Sequence, residues 1–177
     1  MHCSEYLTSP TVNTERALTR LGEAIARLGR ARPTETGLER VTMAEQVDRY
    51  RESLHDLTKV LPPSLLRHLS GVTVAHSEDR VVHGDPSPEN FIDTAGAGVL
   101  IDWERVHIGP YGPDLARALL TAELTLPGGG VAVLRGAGHN GPLPIGWLSL
   151  AGVHLAAWRH CNRDRATTPP WSRWCGF

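Results

Sequence analysis

The sequence contains a single lysine, Lys59, among its 18 basic side chains. A loop that cradles nucleotide phosphates in the G-x-x-x-x-G-K-[ST] manner needs a lysine directly after its glycines, and none stands there. Cysteine is also scarce: Cys3, Cys161 and Cys175 have no C-x-x-C spacing and leave one over if two pair. That usage fits a reducing compartment, so the cytoplasm is the expected location. The amino-terminal MHCSEYLTSP lacks a basic stretch before an apolar one, so no secretory signal is expected. WLSLAGVHLAAW, the longest largely apolar stretch, is too short to cross a bilayer. A net charge of −1 gives no bulk electrostatic pull toward nucleic acid or membrane, and neither partner is expected. The nine histidines show no ligand spacing, since His154 and His160 lie six apart on one helical pattern, and no zinc site is expected.

Present instead is an ordinary globular composition, 41% apolar and 21% charged over 177 residues, enough for one domain with a real core. Leu18, Leu21, Ile25 and Leu28 recur at steps of three and four and predict a helix over 14–31. A polar loop with Pro33 and Gly37 follows. Thr42 and Glu45 then form a capping-box pattern ahead of Val47, Tyr50, Leu54, Leu57 and Leu61, which predicts a second helix over 43–61, stopped by Pro62 and Pro63. Beyond the short SLLRHL segment, the runs RVVH, NFID and GVLID are brief and rich in β-branched residues. They predict small strands, the last two joined as a hairpin through TAGAG. Residues 113–126 return to helical spacing, with Pro113 in the first turn and Leu115, Leu119 and Ala122 on one face. GGGVAVLRGAGHNG, 128–141, reads as loop. Leu148, Ala151, Leu155 and Trp158 mark a last helix, and a helical part is expected over 113–162 before a tail at 166–177. Trp147 and Trp158 are expected in the core, with Trp171 and Trp174 of the tail over an apolar groove.

The least packing-like stretch is VVHGDPSPENF, 81–91, followed by VLIDWE, 99–104. A hairpin brings these strand ends to one loop, so Asp85, Asn90 and Asp102 can converge although they are spread along the chain. Three oxygen-bearing side chains suit Mg²⁺, which is held by one or two protein carboxylates together with substrate phosphates. A carboxylate kept off the metal can accept a proton from an attacking hydroxyl.

HGD with an asparagine five positions after the aspartate, then IDWE, then GPYGPDLA, resembles the catalytic segment of the aminoglycoside phosphotransferase and choline kinase-like family. That family is related to the protein kinases, whose H-R-D-x-x-x-x-N pattern has the same Asp-to-Asn spacing. The match is strong over 81–118, and the whole chain is consistent with the family's carboxy-terminal lobe. The resemblance implies an α+β, mainly helical fold in which a small β-hairpin carries the catalytic and metal loops, with 81–104 as the catalytic and metal-binding segment. It implies Asp85 as the base that orients the hydroxyl, and Asn90 and Asp102 as Mg²⁺ ligands on the phosphates of ATP or another nucleoside triphosphate. His83 is expected to support the loop, Asp114 to anchor a helix start, and Glu104 to stand nearby without an assigned role. The expected activity is transfer of the γ-phosphate to a small-molecule hydroxyl.

The family's amino-terminal lobe, with its glycine loop and strand lysine, is expected to be absent, and the ATP site incomplete. Lys59 ends a helix, and 128–141 follows the catalytic segment. Two other readings therefore stay open: an inactive remnant or binding module of the fold, and one half of a split kinase whose partner chain supplies the missing lobe. Charge bears on the acceptor. Residues 1–104 carry 16 acidic against 11 basic side chains, and 105–177 carry 3 against 7. If the carboxy-terminal part lines the acceptor site, a polycation is repelled and a neutral or anionic hydroxyl compound is expected.

Overall fold

The computed structural model describes residues 11–31, 37–94 and 98–162. Pro33, the tip of TAGAG, Cys3, Cys175 and the expected tail with Trp171 and Trp174 lie outside the described residues. Helix α1 (Thr11–Leu28) buries Leu18, Leu21 and Ile25 as their spacing requires, and a turn to Ala31 closes it. Helix α2 (Met43–Asp56) starts at the capping box: Glu45 N–H donates to Thr42 Oγ1, and Thr42 N–H donates to the Glu45 carboxylate. It ends five residues short of the expected 61. Leu57 caps it and is buried, and a turn carries the chain to α3 (Pro63–Ser70), where Pro63 occupies the first turn.

Strand β1 (Asp79–Val82) leads into the HGD segment. Strands β2 (Phe91–Asp93) and β3 (Gly98–Leu100) form the expected hairpin with Phe91 opposite Leu100. Strand β4 (His107–Pro110), for which the sequence carries no clear alternation, pairs antiparallel with β1 and sets Val82 opposite His107. Helix α4 (Tyr111–Thr125) follows without a break, and α6 (Ile145–Cys161) closes the described chain.

Residues 128–141 are not the expected loop, because α5 (Gly129–Gly136) runs through them. Its glycines serve close packing rather than flexibility. A Cβ on Gly136 would lie 1.8 Å from the carbonyl oxygen of Thr19, and one on Gly22 of α1 would lie 2.1 Å from that of Val133, so the two helices touch backbone to backbone. Glycine composition mimics a loop here, while the apolar residues Ala132 and Val133 are buried as in any core helix.

Two apolar cores result among the described residues. One joins α1, α4 and α5 through Leu21, Ile25, Leu115, Ala118 and Val133, and the other joins α2 and α6 through Tyr50, Leu54, Leu150 and Val153. Each fully buried Leu or Ile contributes about 1.5–3 kcal/mol. Helix α6 serves both cores, with Ala151 in the first and Leu150, Val153 and Ala157 in the second. A helix buried on two sides has no single apolar stripe, and of Leu148, Ala151, Leu155 and Trp158, which mark this helix in the sequence, only Ala151 is buried. Trp158 is 51% exposed, and Trp147 is half-buried with its indole N–H donating to the carbonyl of Ala75 at 2.9 Å.

Replacing Gly136 by Ala forces α1 and α5 apart at their contact. Overpacking of this kind costs about 1–3 kcal/mol, so the urea midpoint of Gly136→Ala should fall well below that of Gly138→Ala, where nothing lies within 4 Å of the added Cβ although φ is positive. Equal midpoints would disprove the close contact.

Candidate active site

Strand β1 delivers His83, Gly84 and Asp85 to one end of the fold. Val81 and Val82 anchor the strand in the interior, and His83 is fully buried behind them. Gly84 turns the chain with φ of 82°, and a Cβ there would meet the carbonyl oxygen of Arg105 at 2.5 Å, so only glycine fits. The N–H groups exposed by this turn both reach Asp114 in the first turn of α4: His83 N–H donates to Oδ2 at 3.1 Å and Gly84 N–H to Oδ1 at 2.9 Å. Burial pushes the Asp114 carboxyl up to about 7, against the pull of those two donors and of Arg117. Asp114, expected from the sequence to anchor the helix start, thus accepts from two consecutive backbone N–H groups of the HGD segment.

Downstream, a single 3-10 turn, Pro88–Asn90, carries the loop into β2. The Asn90 amide donates to the backbone carbonyl of Asp85 at 3.0 Å, which ties the two ends of the loop together. Hairpin pairing continues one step past the strands, with Ile101 N–H donating to the carbonyl of Asn90 at 2.9 Å. Asn90 therefore faces Ile101, and Asp102 is the next residue. Asp102 is left-handed, with φ 64° and ψ 62°, and is the one such non-glycine residue among the described residues. That conformation costs about 1–3 kcal/mol and is characteristic of functional sites.

His83 joins the two loops. Its Nε2–H donates to the carbonyl of Ile101 at 2.9 Å, and its ring packs against Trp103 with centroids 5.0 Å apart. Burial holds the imidazole below its ordinary value, opposed by the bond to Ile101 and by the negative charges of Asp85 and Asp102. Those two carboxylates also line one cleft of about 200 Å³, which Glu104 borders as an exposed residue of the next turn. Asn90 lies at the base of the loop and is not among the lining residues. Among the described residues no cluster of three or more His, Cys, Asp or Glu could hold a metal.

Arg117 is the site residue the sequence reading missed. One turn beyond Asp114 on α4, its Nε–H donates to Asp85 Oδ1 at 2.6 Å, with both side chains mostly shielded from solvent. A charge-assisted bond of this kind contributes about 1.5–3 kcal/mol and fixes the carboxylate's orientation. The signal available was its position three residues after Asp114, which puts both side chains on the helix face toward the loop. As a formal charge, Arg117 was indistinguishable from the surface arginines.

The glycines at the start of α5 offer no phosphate cradle. Glu123 fills that position itself, its carboxylate accepting from Gly128 N–H at 3.0 Å and Gly130 N–H at 3.1 Å. Lys59 stands exposed in the turn after α2.

The sequence pattern of the phosphotransferase enzyme family matches residues 5–153, and the chain belongs to that family. Its fold is the carboxy-terminal lobe found in aminoglycoside phosphotransferases and choline kinase-like proteins. An aminoglycoside-3'-phosphotransferase of type VIII superposes with a TM-score of 0.62 at 21% identity, over 81% of this chain and 61% of that one. A choline/ethanolamine kinase family protein from Mesorhizobium loti gives 0.62 at 17%, over 90% and 57%. An aminoglycoside phosphotransferase from Streptomyces rimosus, in complex with ADP and streptomycin, gives 0.55 at 18%, over 81% and 64%. The chain thus spans less than two thirds of each, and identities this low carry the fold alone. No curated protein sequence matches the chain significantly. Among the described residues no helix is long and apolar enough to cross a membrane.

The raised Asp114 carboxyl has a pH signature. A group easier to protonate folded than unfolded contributes stability that is whole below its ordinary 3.8 and is lost as pH rises through about 7. The stability difference between the native chain and Asp114→Asn should therefore shift against the native chain between pH 4.5 and 8. Urea denaturation at pH 4.5, 6 and 8 measures it, and parallel pH profiles would show that Asp114 does not titrate there.

Proposed function

We infer that this chain is the catalytic lobe of a phosphotransferase that moves the γ-phosphate of a nucleoside triphosphate to a small-molecule hydroxyl. The observation that carries this reading is the arrangement around Asp85. One carboxylate oxygen is held by Arg117, while hairpin pairing sets Asn90 opposite Ile101, the residue before Asp102. Family membership supports the reaction class, and the acceptor is not specified by it.

Asp85 orients the acceptor hydroxyl and takes its proton as the acceptor oxygen bonds to the γ-phosphorus. The bond from that phosphorus to the oxygen bridging to the β-phosphate breaks, and the nucleoside diphosphate departs with that oxygen. Arg117 keeps the Asp85 carboxylate aimed. Asn90 and Asp102 fit Mg²⁺ in their chemistry, since an amide oxygen and a carboxylate are hard ligands and the left-handed backbone of Asp102 marks a constrained position. Bound there, Mg²⁺ would neutralise charge on the nucleotide phosphates. Nucleotide grip is the weaker half: Glu123 already occupies the α5 amides, and Lys59 lies in the α2 turn. A glycine loop and a strand lysine from outside these residues would supply it.

Two measurements test this. Asp85→Ala should lower transfer to any accepted hydroxyl compound by on the order of 10²–10⁴-fold, the usual worth of a positioned base, whereas Asp102→Asn should weaken Mn²⁺ binding followed by electron paramagnetic resonance in the presence of ADP. Undiminished turnover in Asp85→Ala, or unchanged Mn²⁺ affinity in Asp102→Asn, would sink the corresponding role. The 177-residue chain alone should bind ATP more weakly than micromolar, since one missing phosphate donor is worth about 3 kcal/mol. Calorimetric titration giving micromolar affinity would contradict this.

A further inference from the structure

A second cleft, of about 630 Å³, opens beside the Asp85 cleft between α2, α4, α6 and the segment before β4. The two share Glu104, Arg105, Arg117 and Trp158 on their walls, so one bound molecule can reach from one into the other. The lining carries both signs of charge. Glu39, Glu52, Asp56 and Glu104 contribute carboxylates, and Asp114 is committed to the His83 and Gly84 amides. The expected repulsion of cations therefore does not follow from the carboxy-terminal charge count, because α2 folds its own acids onto this wall.

The end of the cleft at His154 is different. His154, on α6, stands against the backbone carbonyl of Arg49, and its Nε2 is buried with no hydrogen-bond partner. Leaving such an atom unpaired costs free energy unless something complements it. Burial holds this imidazole below its ordinary value, and the charges that act on it most strongly are Arg117, Arg49 and Arg105, all positive. Arg117 is engaged with Asp85, but Arg49 and Arg105 are exposed. Arg49 sits one turn from Ser53 on the α2 face that lines the cleft, and Arg105 comes from the turn that also carries Glu104. Two arginines and an unpartnered imidazole from three different elements form a receptor for an anionic group.

We propose that the acceptor of this phosphotransferase carries an anionic group, a carboxylate or a phosphate, bound by Arg49 and Arg105 at the His154 end of the larger cleft, with its hydroxyl directed past Arg117 to Asp85. The proposal rests on the phosphotransferase reading for the identity of the ligand as acceptor, and on the cleft alone for the anionic group. An anion at this place draws a proton onto His154, which then donates to it as a third group.

The test follows His154 by imidazole nuclear magnetic resonance while the chain is titrated with 4-hydroxybutyrate, glycerol 3-phosphate, and 4-hydroxybutyramide as the neutral control. Saturable shifts are expected with one or both anions and none with the amide, and the tighter anion identifies the group. Arg49→Gln and Arg105→Gln, both at exposed positions and checked for folding by circular dichroism, should each weaken the anion at least tenfold. Shifts that do not saturate, that appear equally with the amide, or that survive in both arginine variants would overturn the anionic subsite. A response to ATP alone would overturn it too, by giving these arginines to the nucleotide. Anion binding with no phosphoryl transfer even once a nucleotide-gripping lobe is supplied would sink the phosphotransferase reading and leave the subsite standing, whereas transfer to neutral hydroxyl compounds with no effect of either arginine variant would do the reverse.

Discussion

The Asp114 carboxylate is the constraint on which the site depends. Two consecutive N–H groups, exposed where the chain turns out of β1, converge on its two oxygens. Without that acceptor the turn would bury two unpaired donors, each costing about 1–3 kcal/mol. With it, the backbone of His83 and Gly84 is fixed to the first turn of α4, and α4 is in turn fixed by Leu115, Ala116 and Ala118 in the main core. Because Arg117 lies one turn further along the same helix, one rigid element sets both the backbone before Asp85 and the direction of its side chain. The carboxyl is held in a place where burial alone would keep it protonated, so its ionisation is tied to the loop geometry it enforces.

The second loop is positioned by the first. Hairpin register brings Ile101 to Asn90, and the buried His83 ring takes the Ile101 carbonyl from the other side. Asp102 follows immediately in a conformation that costs about 1–3 kcal/mol. A strained residue persists only where its neighbours over-determine it, and here a strand pair precedes it while a 3-10 turn, Trp103–Arg105, follows with Trp103 packed on His83. His83 thus lies between the segments that carry the two aspartates. Its role as loop support remains a proposal, consistent with a ring whose Nε2 is bonded and whose Nδ1 has no hydrogen-bond partner.

Much of this was legible in the sequence for identifiable reasons. The stripe Leu18, Leu21 and Ile25 and the Thr42–Glu45 box are local signals, and local signals survive folding. The hairpin was legible because a short turn separates two β-branched runs. The pairing of β1 with β4 was not, because four-residue strands that meet across a long stretch of chain leave no pattern at either end. Helix α5 was misread because Gly129 and Gly136 look like breakers when their service is close approach to other backbones. Helix α6 was legible as a helix, but its burial on two sides was not.

Charge was the hardest property to read along the chain. Divided at residue 104, the sequence suggests an acidic half and a basic half, but the fold does not respect that division. Glu52 and Asp56 of α2 share the larger cleft with Arg105 and Arg117 from the later part of the chain, and Arg49 stands on the same helix as those acids. The field inside a cleft is set by which side chains converge there, and convergence depends on long-range packing of α2 against α6 through Tyr50, Leu54, Leu150 and Val153. Local periodicity predicts each of those two helices separately. It carries no information on which charged faces their packing will bring together, so the sign of the potential at His154 becomes readable only once the second core has formed.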